Sequence, residues 1–219
     1  MTDAADLLIW RHGRTEWNDT GRFQGQQDPP LDSVGHVQGR AAAVALAALK
    51  PVAIVSSDLG RASATAAYLA SETGLEVTYD ARLREIDVGA WGGLTRPEIE
   101  ERFPEEWASL LRGEDVRRGG GETLSEVGVR AAEAATEHLG RAGGVPLVLV
   151  THGGTARALV MALLGMRVKE NSAFAAMGNA RWAALAHREL GWQLTAYNVG
   201  REPEASEAGR DDATAQPVL

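Results

Sequence analysis

The chain has 219 residues, 44% hydrophobic and 24% charged, with a formal net charge of -8 and no cysteine. That length suits one sizeable core, so one domain is the default. The acidic balance argues against a nucleic-acid partner or an anionic membrane, and the missing cysteines exclude disulfides, thiolate chemistry and cysteine-ligated zinc.

Met1–Asp6 holds no basic run, and the apolar stretch behind it, Leu7-Leu8-Ile9-Trp10, is too short for a signal peptide or a membrane span. A cytoplasmic protein is expected. Leu7–Trp10 has the length of a buried strand. It stops at Arg11-His12-Gly13-Arg14, a cationic cluster where Gly13 permits a sharp turn. Gly21–Leu31, rich in Gly, Gln, Asp and Pro, reads as a loop over that cluster.

A helix is predicted from Asp32 or Ser33, with Val34, Val37, Ala41, Val44 and Ala48 on one face and Pro51 closing it. Val52–Val55 is a second short strand, ending at Ser56-Ser57-Asp58. The next helix, Leu59–Ser71, carries Arg61 in its first turn, and Gly74 is its stop signal. Leu75–Tyr79 is predicted as a third strand. Residues 81–122 are irregular, with helical pieces at Pro97–Arg102 and Pro104–Leu111, and an unpatterned stretch of that length suggests a functional insertion. Thr123-Leu124-Ser125-Glu126 fits a capping box for a helix to about Leu139. Pro146–Val150 is the strongest strand; it breaks into Thr151-His152-Gly153-Gly154 and a helix over Thr155–Leu164. Ala180–Ala186 and Trp192–Asn198 are expected to pair as a hairpin around Leu190-Gly191. Residues 1–200 then form the domain. Beyond Gly200, five acids against two arginines and no apolar periodicity predict a disordered tail, 201–219.

Strand–helix alternation builds a three-layer α/β sandwich, a mainly parallel sheet with helices on both faces. Its ligand crevice lies at the carboxyl ends of the strands. Arg11, His12, Arg61 and His152 all follow strands directly, so they are expected to converge on one rim. A phosphoryl group in transfer spreads negative charge over three oxygens, and its catalysis is mostly positioning and charge stabilisation. Arg11 and Arg61 offer planar forks for those oxygens. Asn18 and the backbone N–H groups after Gly153 can complete the cradle. His12, neutral at one nitrogen, can attack phosphorus; His152 can hold a further oxygen. Glu85 is the best-placed acid to protonate the leaving group and later take a proton from water. A metal held by His12 and His152 is disfavoured by the two arginines.

Arg11-His12-Gly13-Arg14-Thr15-Glu16-Trp17-Asn18 resembles the RHG signature of the histidine phosphatase (phosphoglycerate mutase-like) superfamily. Ser57-Asp58-Leu59-Gly60-Arg61, Leu83-Arg84-Glu85 with Gly89 and Trp91, and Thr151-His152-Gly153-Gly154 follow in that family's order. The resemblance covers about 6–198. It implies a phosphoglycerate mutase-like fold, His12 as phosphate acceptor, Glu85 as proton donor, and Arg11, Arg61 and His152 as the phosphate pocket. It places Asn18, Gln24 and Gly25 at substrate, and it implies a small-molecule phosphomonoester as substrate, with neither metal nor organic cofactor. Monomer and homodimer both remain open.

The mutases follow the catalytic glutamate with Arg-His-Tyr; here Ile86, Asp87 and Val88 stand there, which favours a phosphatase. Ser56–Leu59 and Met177-Gly178-Asn179-Ala180 are similar to the glucosyl-3-phosphoglycerate phosphatases. A mutase, an α-ribazole-type phosphatase and a phosphate-binding regulatory domain are the alternatives. Arg14 departs from the family's usual acid or glutamine, and either reads a second anion or pairs with Glu16. Arg112, Arg117 and Arg118 read as a solvated patch; His36, His138 and His187 as ordinary surface or strand positions; Glu98, Glu100, Glu101, Glu105 and Glu106 as a solvated helical face. Trp91 is read as core or as a wall of the pocket.

Overall fold

In a computed structural model that describes residues 6–200, the apolar run at the front of the chain forms strand β1 (Leu7–Arg11), buried in all but its last residue. The segment 201–219, expected to be a disordered tail, lies outside the described residues. The remaining strands are β2 (Ala53–Ser56), β3 (Val77–Tyr79), β4 (Leu147–Thr151), β5 (Trp182–Arg188) and β6 (Gly191–Val199). They form a single sheet in the order β3-β2-β4-β1-β5-β6. The first four run parallel, and the closing hairpin β5–β6 pairs through β5 antiparallel to β1. β1 and β4 pair in register from Leu7↔Leu147 to Arg11↔Thr151, so Arg11 and the residues after Thr151 leave the sheet side by side.

Alternation along the strands divides the core. Leu7, Ile9, Leu147 and Leu149 pack on α6 (Leu124–Arg141) and α7 (Gly153–Leu163). Leu8, Trp10, Val148 and Val150 pack on α2 (Ser33–Ala47) and α3 (Gly60–Thr73). The expected three-layer sandwich is therefore present. α3 ends on Gly74 at φ +74°, the left-handed cap that glycine adopts without penalty. The Thr123–Glu126 capping box opens α6 as predicted.

The α2 helix corrects the sequence reading. Asp32 caps it, accepting from the Gly35 N–H at 2.7 Å. Its buried face is Gly35, Gly39, Ala42, Ala43 and Leu46, whereas Val37 and Val44 of the expected stripe are 48% and 58% exposed. Close approach is the reason. A Cβ on Gly35 would stand 2.0 Å from the Arg14 carbonyl oxygen, and one on Gly13 would stand 2.4 Å from that of Gly35. Gly13 is thus needed for backbone-to-backbone packing, not for a left-handed turn.

Residues 81–122 are less irregular than expected. α4 (Arg96–Arg102) and α5 (Pro104–Leu111) gather with Ile86, Val88, Trp91, Leu124, Val127 and Met161 into a third apolar cluster. Trp91 is fully buried against Phe23, Phe103 and Trp107, so it is core and not pocket wall.

Gly35→Ala is expected to cost at least about 3 kcal/mol, since the overlap is with backbone that cannot rotate away. Gly140→Ala, inside α6 with nothing within 4 Å of the added Cβ, is expected to stabilise by about 0.5–1 kcal/mol. Urea unfolding of both variants checks the pair; equal effects would refute the close-packing account.

Candidate active site

His12 follows β1 directly and is 2% exposed. Its Nδ1 lies 2.6 Å from the Gly13 carbonyl oxygen, which can only accept, so Nδ1 carries the hydrogen and Nε2 the lone pair. Arg61 Nε stands 3.3 Å from that Nε2. Burial, then Arg61 and then Arg11, push the imidazole well below the usual histidine value and outweigh the Gly13 hydrogen bond. His12 is neutral.

Arg61, in the first turn of α3, is buried and donates to the Gln27 carbonyl at 2.7 Å and the Gly25 carbonyl at 2.8 Å. Gly25 adopts φ +53°, and a Cβ there would meet the Val88 side chain at 2.6 Å. The 24–28 loop therefore closes over Arg61 as the sequence suggested. Arg11 is tied by Nη1 to the Met177 carbonyl. Loss of hydration, with Arg61 nearby and Glu85 opposing it, lowers its guanidinium to about 10. Ala180 N–H donates to the His12 carbonyl at 3.0 Å, and Asn179 Nδ2 bridges that carbonyl at 3.3 Å and Asn18 Oδ1 at 3.1 Å. The Met177–Ala180 segment thus braces Arg11, His12 and Asn18 together.

His152 caps α7 and is fully buried, with its ring 5.1 Å from that of His12. Its Nε2 shares a hydrogen bond with Ser57 Oγ at 2.8 Å, and its Nδ1 has no partner among the described residues. Burial, Arg61, His12 and Arg11 hold it well below the usual histidine value, so it too is neutral.

Glu85 reaches the same place from the 81–122 segment. α7 begins at Gly153, two residues earlier than expected, and this aims its first N–H groups at the carboxylate. Gly154 N–H donates at 3.1 Å, Thr155 N–H at 2.9 Å, Thr155 Oγ1 at 3.1 Å and Ile86 N–H at 2.9 Å. A side chain at Gly154 would collide with Glu85 Oε1 at 2.8 Å.

One cavity joins these groups. Arg11, His12, Arg61, Glu85 and Gly153 line it, with Asn18, Gln24 and Gly25 from the end of α1 (Glu16–Asp19) and the loop after it. His152 does not line it; its ring lies beside that of His12. Arg14 is also outside the lining: it pairs with Asp19 at 2.7 Å and Asp32 at 2.8 Å, not with the expected Glu16.

Gly154, Arg22, Phe23, Ile86, Val88 and Arg118 complete the wall. Arg118 corrects the sequence reading, being 3% exposed and not part of a solvated patch; Arg112 and Arg117 do pair at the surface, with Glu114 and Glu126. The signal was the glycine run beside it. A Cβ on Gly119 or Gly121 would strike the Val88 or Asp87 carbonyl oxygen at 2.5 or 2.2 Å, so the run packs onto 87–89 and carries Arg118 inward. Ser57, Gly154 and Asn179 stood in the quoted motifs and Thr155 at a helix start, with nothing local to say what each would hold. His36, His138 and His187 hold ordinary contacts with Tyr68, Asp80 and Trp192. Among the described residues no three His, Asp or Glu side chains cluster as metal ligands, and no helix is long and apolar enough to cross a membrane.

A neutral, dry imidazole set between two guanidiniums, with a carboxylate lining the same hollow, is equipment for phosphoryl transfer through histidine. Residues 7–200 match the family model of the histidine phosphatase superfamily (branch 1), and the chain belongs to that superfamily. It is 38% identical over 216 residues to glucosyl-3-phosphoglycerate phosphatase of Mycolicibacterium vanbaalenii, spanning 90% of this chain and 95% of that one. A probable phosphoglycerate mutase of Salmonella paratyphi C is 38% identical over 164 residues, 73% of this chain and 75% of its own. Among solved structures, mycobacterial glucosyl-3-phosphoglycerate phosphatase complexed with VO3 superposes with a TM-score of 0.84 at 37% identity, covering 90% of this chain and all of that one. Phosphoserine phosphatase of Entamoeba histolytica in complex with 3-phosphoglyceric acid gives 0.81 at 27% identity, over 90% and 98%. The chain is a phosphoric monoester hydrolase of the histidine phosphatase type, acting on a small phosphorylated substrate.

The two neutral imidazoles make stability depend on pH. Below about pH 6.5 the unfolded chain takes up protons on them ahead of the folded chain, so each lowers stability on acidification, by at most about 1.4 kcal/mol per pH unit. Denaturant unfolding between pH 7 and 5.5 is expected to show this fall, with a slope shallower by up to one proton in His152→Gln. An identical slope in the variant would show that His152 titrates normally.

Proposed function

We propose that the chain hydrolyses glucosyl-3-phosphoglycerate by two-step transfer through phospho-His12. The observation that carries this reading is the His12 tautomer: Nδ1 is committed to Gly13, and Nε2 keeps its lone pair beside Arg61. Nε2 attacks phosphorus while Arg11 and Arg61 hold the equatorial oxygens, with Asn18 and the Gly153 backbone completing the cradle. The phosphorus–oxygen bond breaks, and the leaving alkoxide takes its proton from Glu85. Water then attacks phospho-His12, gives its proton to the Glu85 carboxylate, and releases phosphate. No metal or organic cofactor enters these steps.

The substrate follows from the rest of the wall. A glycerate ester carries a carboxylate besides its phosphate, and Arg118 and Arg22 line the cavity with Phe23, Ile86 and Val88. Likeness to the mycobacterial phosphatases at 38% identity over nine-tenths of the chain supports the same choice. Phosphoglycerate mutase is the second reading, favoured by the Salmonella relative. Against it, Ile86 and Val88 bring no charge to the cavity, and the Asp87 backbone N–H is turned to Glu122.

His12→Ala is expected to lower phosphate release by more than about 1,000-fold, and an undiminished rate would remove it as the acceptor. Glu85→Gln is expected to slow esters of aliphatic alcohols by about 100-fold or more, and p-nitrophenyl phosphate by less than about tenfold. Equal slowing would count against the proton-transfer role. The wild-type protein given 3-phosphoglycerate should release inorganic phosphate; isomerisation to 2-phosphoglycerate with little release would establish the mutase instead.

Arg118→Met is expected to raise KM for glucosyl-3-phosphoglycerate about tenfold or more, with p-nitrophenyl phosphate, which has no carboxylate, unaffected. A KM that rises equally for both would show that Arg118 serves the phosphoryl group.

A further inference from the structure

Glu85 is held at both of its ends. The α7 N–H groups hold its carboxylate, and its backbone is held by a residue outside the cavity, Arg130 of α6. Arg130 Nη1 donates to the carbonyls of Arg82 at 2.6 Å and Arg84 at 2.8 Å, and Nη2 donates to that of Glu85 at 3.1 Å. The same guanidinium meets both carboxylate oxygens of Glu122, Nε at 2.8 Å and Nη2 at 2.9 Å. Glu122 Oε2 accepts from the Asp87 N–H at 2.9 Å, and the Glu122 N–H donates to the Asp87 carbonyl at 2.8 Å. The chain is therefore gripped just before Glu85, at Glu85, and two residues after it.

These bonds are more than a surface ion pair. An exposed arginine–carboxylate pair is worth about 0–1 kcal/mol and constrains little. Here both side chains are mostly buried, at 19% and 23% exposure, and a planar fork fixes three carbonyls at once. Burial acts to raise the Glu122 carboxyl, but the Arg130 guanidinium and the Asp87 N–H prevail and hold it below the usual glutamate value. α6 packs along α7 through the Ala131, Ala134, Ala135, Ala156 and Leu159 cluster. Backbone and carboxylate of Glu85 are thus both referenced to one rigid helix pair. Proton transfer tolerates little displacement: a shift of about 1 Å can cost about 100-fold in rate.

We infer that Arg130, oriented by Glu122, is a positioning residue that sets the Glu85 carboxyl for proton transfer to the leaving group. The inference rests on the reading of Glu85 as proton donor, and a leaving-group comparison separates the two. Arg130→Met is expected to lower kcat about 10- to 100-fold for glucosyl-3-phosphoglycerate and less than about threefold for p-nitrophenyl phosphate, whose leaving group needs no proton. Arg130→Lys, which cannot reproduce the fork, and Glu122→Gln, which keeps the shape, should change the ratio in the same direction by less. In a Glu85→Gln background Arg130→Met should leave the ratio where Glu85→Gln alone put it. Equal losses on both substrates, or a further change of ratio in the double variant, would overturn the inference and leave Arg130 a fastener of the fold. Should Arg130→Met fail to fold, Arg130→Lys and Glu122→Gln decide the matter through the same ratio. If Glu85→Gln itself leaves the ratio unchanged, the proton-donor reading falls and takes the positioning role with it. A changed ratio in Glu85→Gln beside an unchanged one in every Arg130 and Glu122 variant sinks the positioning role alone.

Discussion

The His12 imidazole donates from Nδ1 to its neighbour's carbonyl oxygen, and the chemistry of the site depends on the nitrogen left over. An imidazole attacks only when neutral, and only from the nitrogen that lacks a hydrogen. The Gly13 carbonyl settles the tautomer; burial beside Arg61 and Arg11 settles the charge. Cations suited to hold phosphoryl oxygens therefore also keep the neighbouring histidine unprotonated before substrate arrives. That carbonyl is in turn placed by backbone-to-backbone packing, the approach of Gly13 and Arg14 to Gly35 at the start of α2.

The site carries excess positive charge out of water. Arg61 and Arg118, which line the cavity, lie below the usual arginine value, and Arg157 of α7, outside the lining, is lowered to about 10, burial being the largest cause in each. Arg157 is 2% exposed, and its Nε and Nη2 lack partners among the described residues. Such an arrangement opposes folding and favours an anionic ligand, because a buried cation facing the ligand gains in the complex a pairing that offsets its lost hydration. A substrate with two anionic groups offsets more of this than a simple phosphate ester does.

Within the superfamily, one scaffold carries proteins named for different activities. Relatives of this chain include proteins named as phosphatases and a protein named as a probable mutase. The sheet edge and the imidazole do not discriminate between them. What can discriminate is the segment after Glu85, where Ile86 and Val88 present hydrocarbon to the cavity and the glycine run 119–121 packs close enough to bring Arg118 to it.

Much of this was legible in the chain itself. Strands that stop at charged residues, a capping box at Thr123 and a glycine at position 74 are local signals, and local signals mark elements because they act through neighbouring backbone. The convergence of Arg11, His12, Arg61 and His152 followed from the rule that parallel sheets gather their ligands at one edge. The buried face of α2 was not legible, since valine spacing says nothing about how near another backbone will come. The place of Arg118, the pairing of Arg14 with Asp19 and Asp32, and the grip of Gly154, Thr155 and Arg130 on Glu85 are contacts between segments distant in the chain or set by loop geometry. Short-range sequence determined which groups were available and where each element began. Which nitrogen, which guanidinium and which carboxylate meet was decided only by tertiary packing, because hydrogen bonds and buried charges depend on separations of a few ångströms that no periodicity encodes.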